Sequence, residues 1–479
     1  MSAIRKLIAM GIAGFLLLAI CEPLPAKAAD DQPESKKVDE VFADLAKPGS
    51  PGCALAAARD GKLLYAKGYG LANIEENVPI TPQTVFDIGS TSKQFAAASI
   101  LLLEKRGKLS INDDIRKYIP ELPDYGKKIT ILHLLNHTSG LRDYLTLFEL
   151  AGVNIDNVTT DDDALSLITH QKALNFDPGS EWLYSNTGFF LLSIIVKRVS
   201  GKTLREFAAE NIFSPLQMTA TTYRDDHTQL VPNRALAYDP KGKAAGFSLD
   251  VSYFEQTGDG AVHTSVLDLL KWDENFYSAQ IGSKELLAEL QEPGKLNSGK
   301  VLNYAKGLAV GKYRGLQTVS HGGSWGGYRA ELLRFAEQHF SVVCLCNLSS
   351  ARPSSRAVKV AEVYLGSLMA PPTPKANTDD DNEDSSKKKE TVSLTAGQLK
   401  LFEGDYWSRE LQIIYRVSFE SGALVLHVRN LPPKQLRAIS ADEFQLEEGP
   451  KLKMMMKEGS VSGFLLDAGR TRGMLFEKR

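Results

Sequence analysis

The run from Pro371 to Ser393 constrains the fold most, because it decides how the rest of the chain can be divided. It reads Pro371-Pro372-Thr373-Pro374, then an acidic cluster from Asp379 to Asp384, then Lys387-Lys388-Lys389. With no aromatic and almost no aliphatic side chain, it carries too little apolar surface to offset the entropy of ordering. Residues 371–393 are therefore expected to be a disordered linker. They separate a body, residues 29–370, from a tail, residues 394–479.

The N-terminus constrains compartment. Arg5-Lys6 precede an apolar run from Leu7 to Ile20, and Ala26-Lys27-Ala28 follow it. This is the charged, apolar and small-residue order of a signal peptide, residues 1–28, with cleavage expected after Ala28. The run falls short of the roughly 20 apolar residues that span a bilayer. A lipoprotein reading through Cys21 is weakened by Ile20, where a small residue is expected. The mature chain is expected to be periplasmic or secreted, without a transmembrane segment.

Composition narrows the function classes. The 479 residues are 43% hydrophobic and 24% charged, with a formal net charge of −2, values ordinary for a folded globular protein. Nothing here favours nucleic acid or a polybasic membrane contact. The partner expected is a small-molecule or peptide substrate, and oligomeric state stays open. Beyond the signal, Cys53, Cys344 and Cys346 remain, an odd number. Cys53 could pair with either of the others. However, Cys344 and Cys346 share one face of an apolar strand, which favours buried thiols acting as small hydrophobes. No metal-ligand spacing occurs, and neither a metal nor a cofactor is expected.

Periodicity suggests how the body is built. Cys53–Arg59 and Lys62–Tyr69 read as strands joined by Asp60-Gly61, a strong hairpin signal. Ser90 to Arg106 is Ala- and Leu-rich and helical, and Gly107 stops it. Residues 111–264 are mostly helical patterns and loops. Strand-like runs return at 306–313, 318–319, 329–335 and 341–347. Strands first, helices in the middle and strands last predict an α/β (α+β) fold: one antiparallel sheet completed by both ends, flanked by helices, with an inserted all-α region. In the tail, short strands recur at 412–419, 423–429, 444–446, 451–457, 463–466 and 473–476. They predict a small antiparallel β-barrel or meander, and no chemistry is expected there.

Three motifs carry the chemistry. In Ser90-Thr91-Ser92-Lys93, serine and lysine three apart on a helix share a face, so Lys93 can reach Ser90 Oγ. A hydroxyl is a weak nucleophile until a base takes its proton. A lysine is such a base only if its pKa, about 10.4 when free, is lowered by burial or a nearby cation. In Tyr184-Ser185-Asn186, a phenol can relay a proton and an amide can hold a lysine or a carbonyl. In His321-Gly322-Gly323-Ser324, glycines let a substrate approach the strand backbone. The Ser324 N–H could there form an oxyanion hole with the N–H of Ser90. Each motif alone has a plainer alternative: an N-cap serine with an exposed lysine, a turn before a helix, and a glycine-rich hairpin.

In this order, S-x-x-K, Y-x-N and H-x-G resemble the serine β-lactamase and penicillin-binding-protein superfamily, nearest its class C and esterase-like branch. Leu134-Leu135-Asn136-His137-Thr138-Ser139-Gly140-Leu141, Ser200-Gly201-Lys202 and Ile212–Met218 resemble further family segments, so the likeness runs from about Val38 to Met369. It implies Ser90 as nucleophile, Lys93 as its base and Tyr184 as proton relay. Asn186 would orient Lys93 and the substrate, and His321 would stand where relatives carry a lysine. His133 and His137 are expected only to stabilise a turn, and Asp143, Asp259 and Asp268 to be loop or cap residues. A histidine at 321 is mostly neutral near pH 7, which disfavours a β-lactam or other carboxylate-bearing substrate unless Arg329 supplies the cation. The expected activity is that of an esterase or D-amino-acid peptidase or amidase. The alternatives are a β-lactamase or D-Ala-D-Ala carboxypeptidase, and a non-catalytic binder of cell-wall peptides.

Overall fold

Asp60 and Gly61 both take positive φ, 51° and 69°, and turn β1 (Cys53–Arg59) into β2 (Lys62–Tyr69) as an antiparallel hairpin, as a two-residue connection requires. The computed structural model describes residues 33–242, 246–372, 392–447 and 449–479. The expected signal peptide, and all of the expected linker except its ends, lie outside the described residues.

Four later strands complete the sheet: β3 (Ala309–Tyr313), β4 (Leu316–Trp325), β5 (Tyr328–Phe335) and β6 (Phe340–Cys346). The order is β3-β4-β5-β6-β1-β2, antiparallel throughout, so the two ends of the body meet at the β6–β1 pair. Side chains alternate between two cores, as a period of two dictates. Ala54, Ala56, Val343 and Leu345 face the core shared with α2 (Lys93–Lys105) and Trp272. Leu55, Val342 and Cys344 face the core shared with Val38 and Val360, from helices Pro33–Val41 and Pro353–Leu365. Between the two strand groups lies the helical region, including α3 (Tyr144–Leu150) and α4 (Asn186–Ser200).

Two expectations need correction here. Strand β4 continues through His321-Gly322-Gly323-Ser324 to Trp325, well beyond 318–319. Glycine weakens the local strand signal, and pairing with β5 overrides it. Cys53 and Cys346 form a disulfide, while Cys344 is the buried free thiol. The β1–β6 register sets Cys53 opposite Cys346, a pairing that spacing along the chain does not reveal.

The tail forms a closed barrel of eight antiparallel strands between Gly404 and Lys478. Two of them, Gly404–Ser408 and Lys434–Ala438, are additional to those expected. The last two are β7 (Ser460–Ala468) and β8 (Thr471–Lys478). Tyr406, Leu426, Phe444, Leu452, Phe464 and Phe476 fill the interior, and Leu147 and Leu150 of α3 join the same cluster. The barrel therefore packs on the body. A buried ion pair crosses the contact, Arg142 Nη1 to Glu410 Oε1 at 2.7 Å, with the side chains 1% and 8% exposed.

Candidate active site

Ser90 lies in a 3₁₀ turn, Gly89–Ser92, that runs directly into α2. Two glycines press this turn against the edge of β4. A Cβ on Gly89, whose φ is +47°, would sit 2.7 Å from the Ser324 backbone nitrogen, and one on Gly323 only 1.9 Å from the Ile88 carbonyl oxygen. Gly323 thus makes room for the protein's own backbone, not for a substrate, which corrects the expectation drawn from the motif. The approach sets the residue before Ser90 against the Ser324 backbone, and both serines line the same cleft.

Lys93, one helical turn after Ser90, is fully buried. Its Nζ lies 3.0 Å from Ser90 Oγ, 2.9 Å from Asn186 Oδ1 and 2.7 Å from the Asp259 carbonyl oxygen. Burial is the main force pushing its pKa below the usual lysine range; the Asp259 carboxylate opposes this and the Arg470 guanidinium adds to it. A neutral amine has two N–H donors and one lone pair. Asn186 Oδ1 and the Asp259 carbonyl can only accept, so they take both donors and leave the lone pair facing Ser90.

Burial raises the Tyr184 pKa, while the neighbouring Ser90 and the Arg470 guanidinium pull it down. Its ring centroid lies 4.9 Å from Lys93 Nζ. His321 stands on β4, 7% exposed. Its Nδ1 lies 2.6 Å from the Gly322 carbonyl oxygen, which makes that nitrogen the donor. Nε2 is then the acceptor for the Tyr304 hydroxyl at 3.0 Å. Burial, with Lys93 adding to it, holds its pKa down to about 4, so the ring is neutral near pH 7.

The fold therefore gathers Ser90, Tyr184, Asn186, His321, Gly322, Gly323 and Ser324 around one cleft of about 1520 Å³, with Lys93 buried behind Ser90. Arg329 lines the same cleft, with its guanidinium turned onto its own hairpin. Its guanidinium donates to the Gly326 and Tyr328 carbonyls at 2.5 and 2.7 Å.

Four neighbours escaped the sequence reading. His137 is buried with φ 57°. It accepts the Ser185 N–H at 3.1 Å and packs 4.2 Å from the Tyr184 ring, so it does more than hold its own turn; His133 caps the helix start at Thr130. Asp143 caps α3 and also accepts the Asn186 N–H at 2.6 Å. Asp259, hydrogen-bonded by Tyr144 at 2.9 Å, is a support of Lys93 and not a plain loop residue. Tyr304 donates to His321 Nε2 in the tautomer that the Gly322 carbonyl sets. Only His137 carried a signal, through its place in a recognised segment. Asp268 is neither the loop nor the cap residue expected: it lies in the first turn of helix Val266–Ser278, which Ser265 caps, and accepts from Ala220 N at 2.8 Å.

Among known proteins, a family model described as Beta-lactamase matches residues 38–365. The chain is 30% identical to penicillin-binding protein 4* of Bacillus subtilis (strain 168), over 70% of this chain and 76% of that one. It is also 30% identical to a D-aminopeptidase of Gluconobacter oxydans (strain 621H), over 69% of this chain but only 61% of the relative's length. The octameric penicillin-binding-protein homologue from Pyrococcus abyssi superposes with a TM-score of 0.61 at 25% identity, covering 93% of this chain and 99% of that one. The protein belongs to the β-lactamase family, within the serine β-lactamase and penicillin-binding-protein superfamily.

Proposed function

We propose that the protein is a serine hydrolase that works through an acyl-enzyme on Ser90, with esters and D-amino-acid amides or peptides as its substrate class. The observation that carries this reading is the buried Lys93 Nζ, 3.0 Å from Ser90 Oγ, with two acceptors oriented to leave its lone pair on the hydroxyl. Lys93 takes the Ser90 proton as Oγ attacks the substrate carbonyl carbon. The carbonyl oxygen becomes an oxyanion facing the Ser90 and Ser324 N–H groups. The bond to the leaving alcohol or amine then breaks, and Tyr184 passes that group the proton Lys93 took. Water repeats the sequence on the ester of Ser90, which returns as a free hydroxyl.

Substrate class follows from position 321. A neutral His321 offers no charge to a substrate carboxylate, so β-lactam or D-Ala-D-Ala carboxypeptidase turnover is the weaker reading. The D-aminopeptidase relative supports D-amino-acid substrates. Intact Ser90, Lys93 and Tyr184 weigh against a non-catalytic binder. We further propose export, on the charged, apolar and small-residue order of residues 1–28; a mature N-terminus at Ala29 in the extracytoplasmic fraction would support it, and a retained Met1 would not.

The test is labelling with a fluorophosphonate, followed by p-nitrophenyl esters, D-amino-acid amides, nitrocefin and D-Ala-D-Ala peptides as substrates. Labelling at Ser90 with turnover of the first two classes is expected. An unlabelled, inactive protein would leave the binder as the better reading.

A further inference from the structure

A cation does stand beside the nucleophile, and it comes from the barrel. Arg470 sits in the turn between β7 and β8. Its guanidinium carbon lies 4.7 Å from the Tyr184 ring centroid, and Nη1 lies 3.7 Å from Asp143 Oδ2. The side chain is 42% exposed and lines the cleft. Asp143 holds the Asn186 N–H, and Asn186 holds Lys93, so the guanidinium touches the reacting group along two routes.

The placement is built, not incidental. The Arg470 carbonyl accepts from Asn175 Nδ2 at 2.9 Å, and Arg472 N–H donates to Asn175 Oδ1 at 2.8 Å. Arg142 donates to the Arg472 and Gly473 carbonyls at 3.0 and 3.2 Å while paired with Glu410. The turn is thereby clamped to the body on both sides of Arg470.

We propose that the barrel is part of the active site, and that Arg470 is a positioning residue that holds a positive charge against Tyr184 and keeps the Ser90–Lys93–Tyr184 group in its reactive charge state. This rests on the acyl-enzyme reading above. The charged and titratable groups facing the relay are Asp143 and Tyr144 from α3, His137, Asp259, and Tyr304 and His321 from the β4 side. His137 and His321 are both held neutral by burial first. Asp259 and Asp143 favour a protonated Lys93, and Arg470 opposes them. Removing Arg470 leaves the carboxylates unopposed, so Lys93 keeps its proton to higher pH.

The test uses the full chain with Arg470→Gln and Arg470→Lys, a neutral p-nitrophenyl ester beside a carboxylate-bearing D-Ala-D-Ala peptide, and kcat/KM across pH. Arg470→Gln is expected to move the acid limb up by about 0.5–1 pH unit, a roughly three- to tenfold loss on that limb. The loss should fall on kcat, the rate of fluorophosphonate labelling should move with the same limb, and Arg470→Lys should restore part of it. A uniform loss with an unmoved limb would mean a structural role and overturn the proposal. So would a loss confined to carboxylate-bearing substrates, which would make Arg470 a substrate anchor. Thermal melts verify that both variants fold. Wild-type protein that is not labelled at Ser90 would refute the acyl-enzyme reading itself, an outcome distinct from either.

Discussion

Asn186 Oδ1 accepts from Lys93 Nζ at 2.9 Å, and this contact sets which way the lysine's lone pair faces. It joins α4 to α2 beside the nucleophile, as the Asp259 carbonyl does from the loop before Val262. Asn186→Asp puts a carboxylate in place of the amide and favours protonated Lys93. The acid limb of the pH–rate profile should therefore move upward, and activity near neutrality should fall. An unmoved limb in the folded variant would detach Lys93 from the rate.

Ser90→Ala should abolish hydrolysis and fluorophosphonate labelling while leaving the melting temperature close to that of the parent, because Ser90 is only half-buried. Tyr184→Phe should cost about 10²–10⁴ in rate if the phenol carries the proton. A near-normal rate would remove Tyr184 from the relay.

With His321 neutral, short-chain esters should be turned over better than nitrocefin or D-Ala-D-Ala peptides. His321→Lys should shift preference towards carboxylate-bearing substrates. A charge-assisted contact of roughly 1.5–3 kcal/mol corresponds to about one to two decades in relative kcat/KM at about 1.36 kcal/mol per decade. The ratio is the quantity to measure, since an added ammonium also repels Lys93. A parent enzyme that already prefers nitrocefin would reverse the ranking.

Arg142→Ala leaves Glu410 buried without its partner. Breaking a buried pair in this way costs roughly 3–5 kcal/mol, to be read by denaturant unfolding. A disordered linker taken alone would let a chain ending near Met369 stay soluble with part of its activity. The structure argues otherwise, because that cut exposes Leu147 and Leu150 and removes Arg470. Such a chain should aggregate more readily and hydrolyse more slowly than the full chain under the same assay.

What could be read from the sequence was whatever local backbone geometry settles. Ser90 and Lys93 meet because three residues make about one helical turn, and the Asp60-Gly61 hairpin declares itself because its turn needs positive φ. The barrel was legible from recurring short strands, apart from Lys434–Ala438 and Gly404–Ser408. Other features depend on docking between segments far apart in the chain, and no local period records that. Cys53 pairs with Cys346 rather than Cys344 through the β1–β6 register. His321–Ser324 becomes a strand edge because β5 holds it, against glycine's own preference. Asp259, Tyr304 and Asp143 reach the site only when loops and helices pack around Lys93. Arg470 lies in a tail that carries no motif, and it stands over Tyr184 because Arg142 and Asn175 hold the β7–β8 turn there. Periodicity and spacing are properties of neighbouring residues, whereas a charge brought in by a second folded unit is a property of the interface that unit makes.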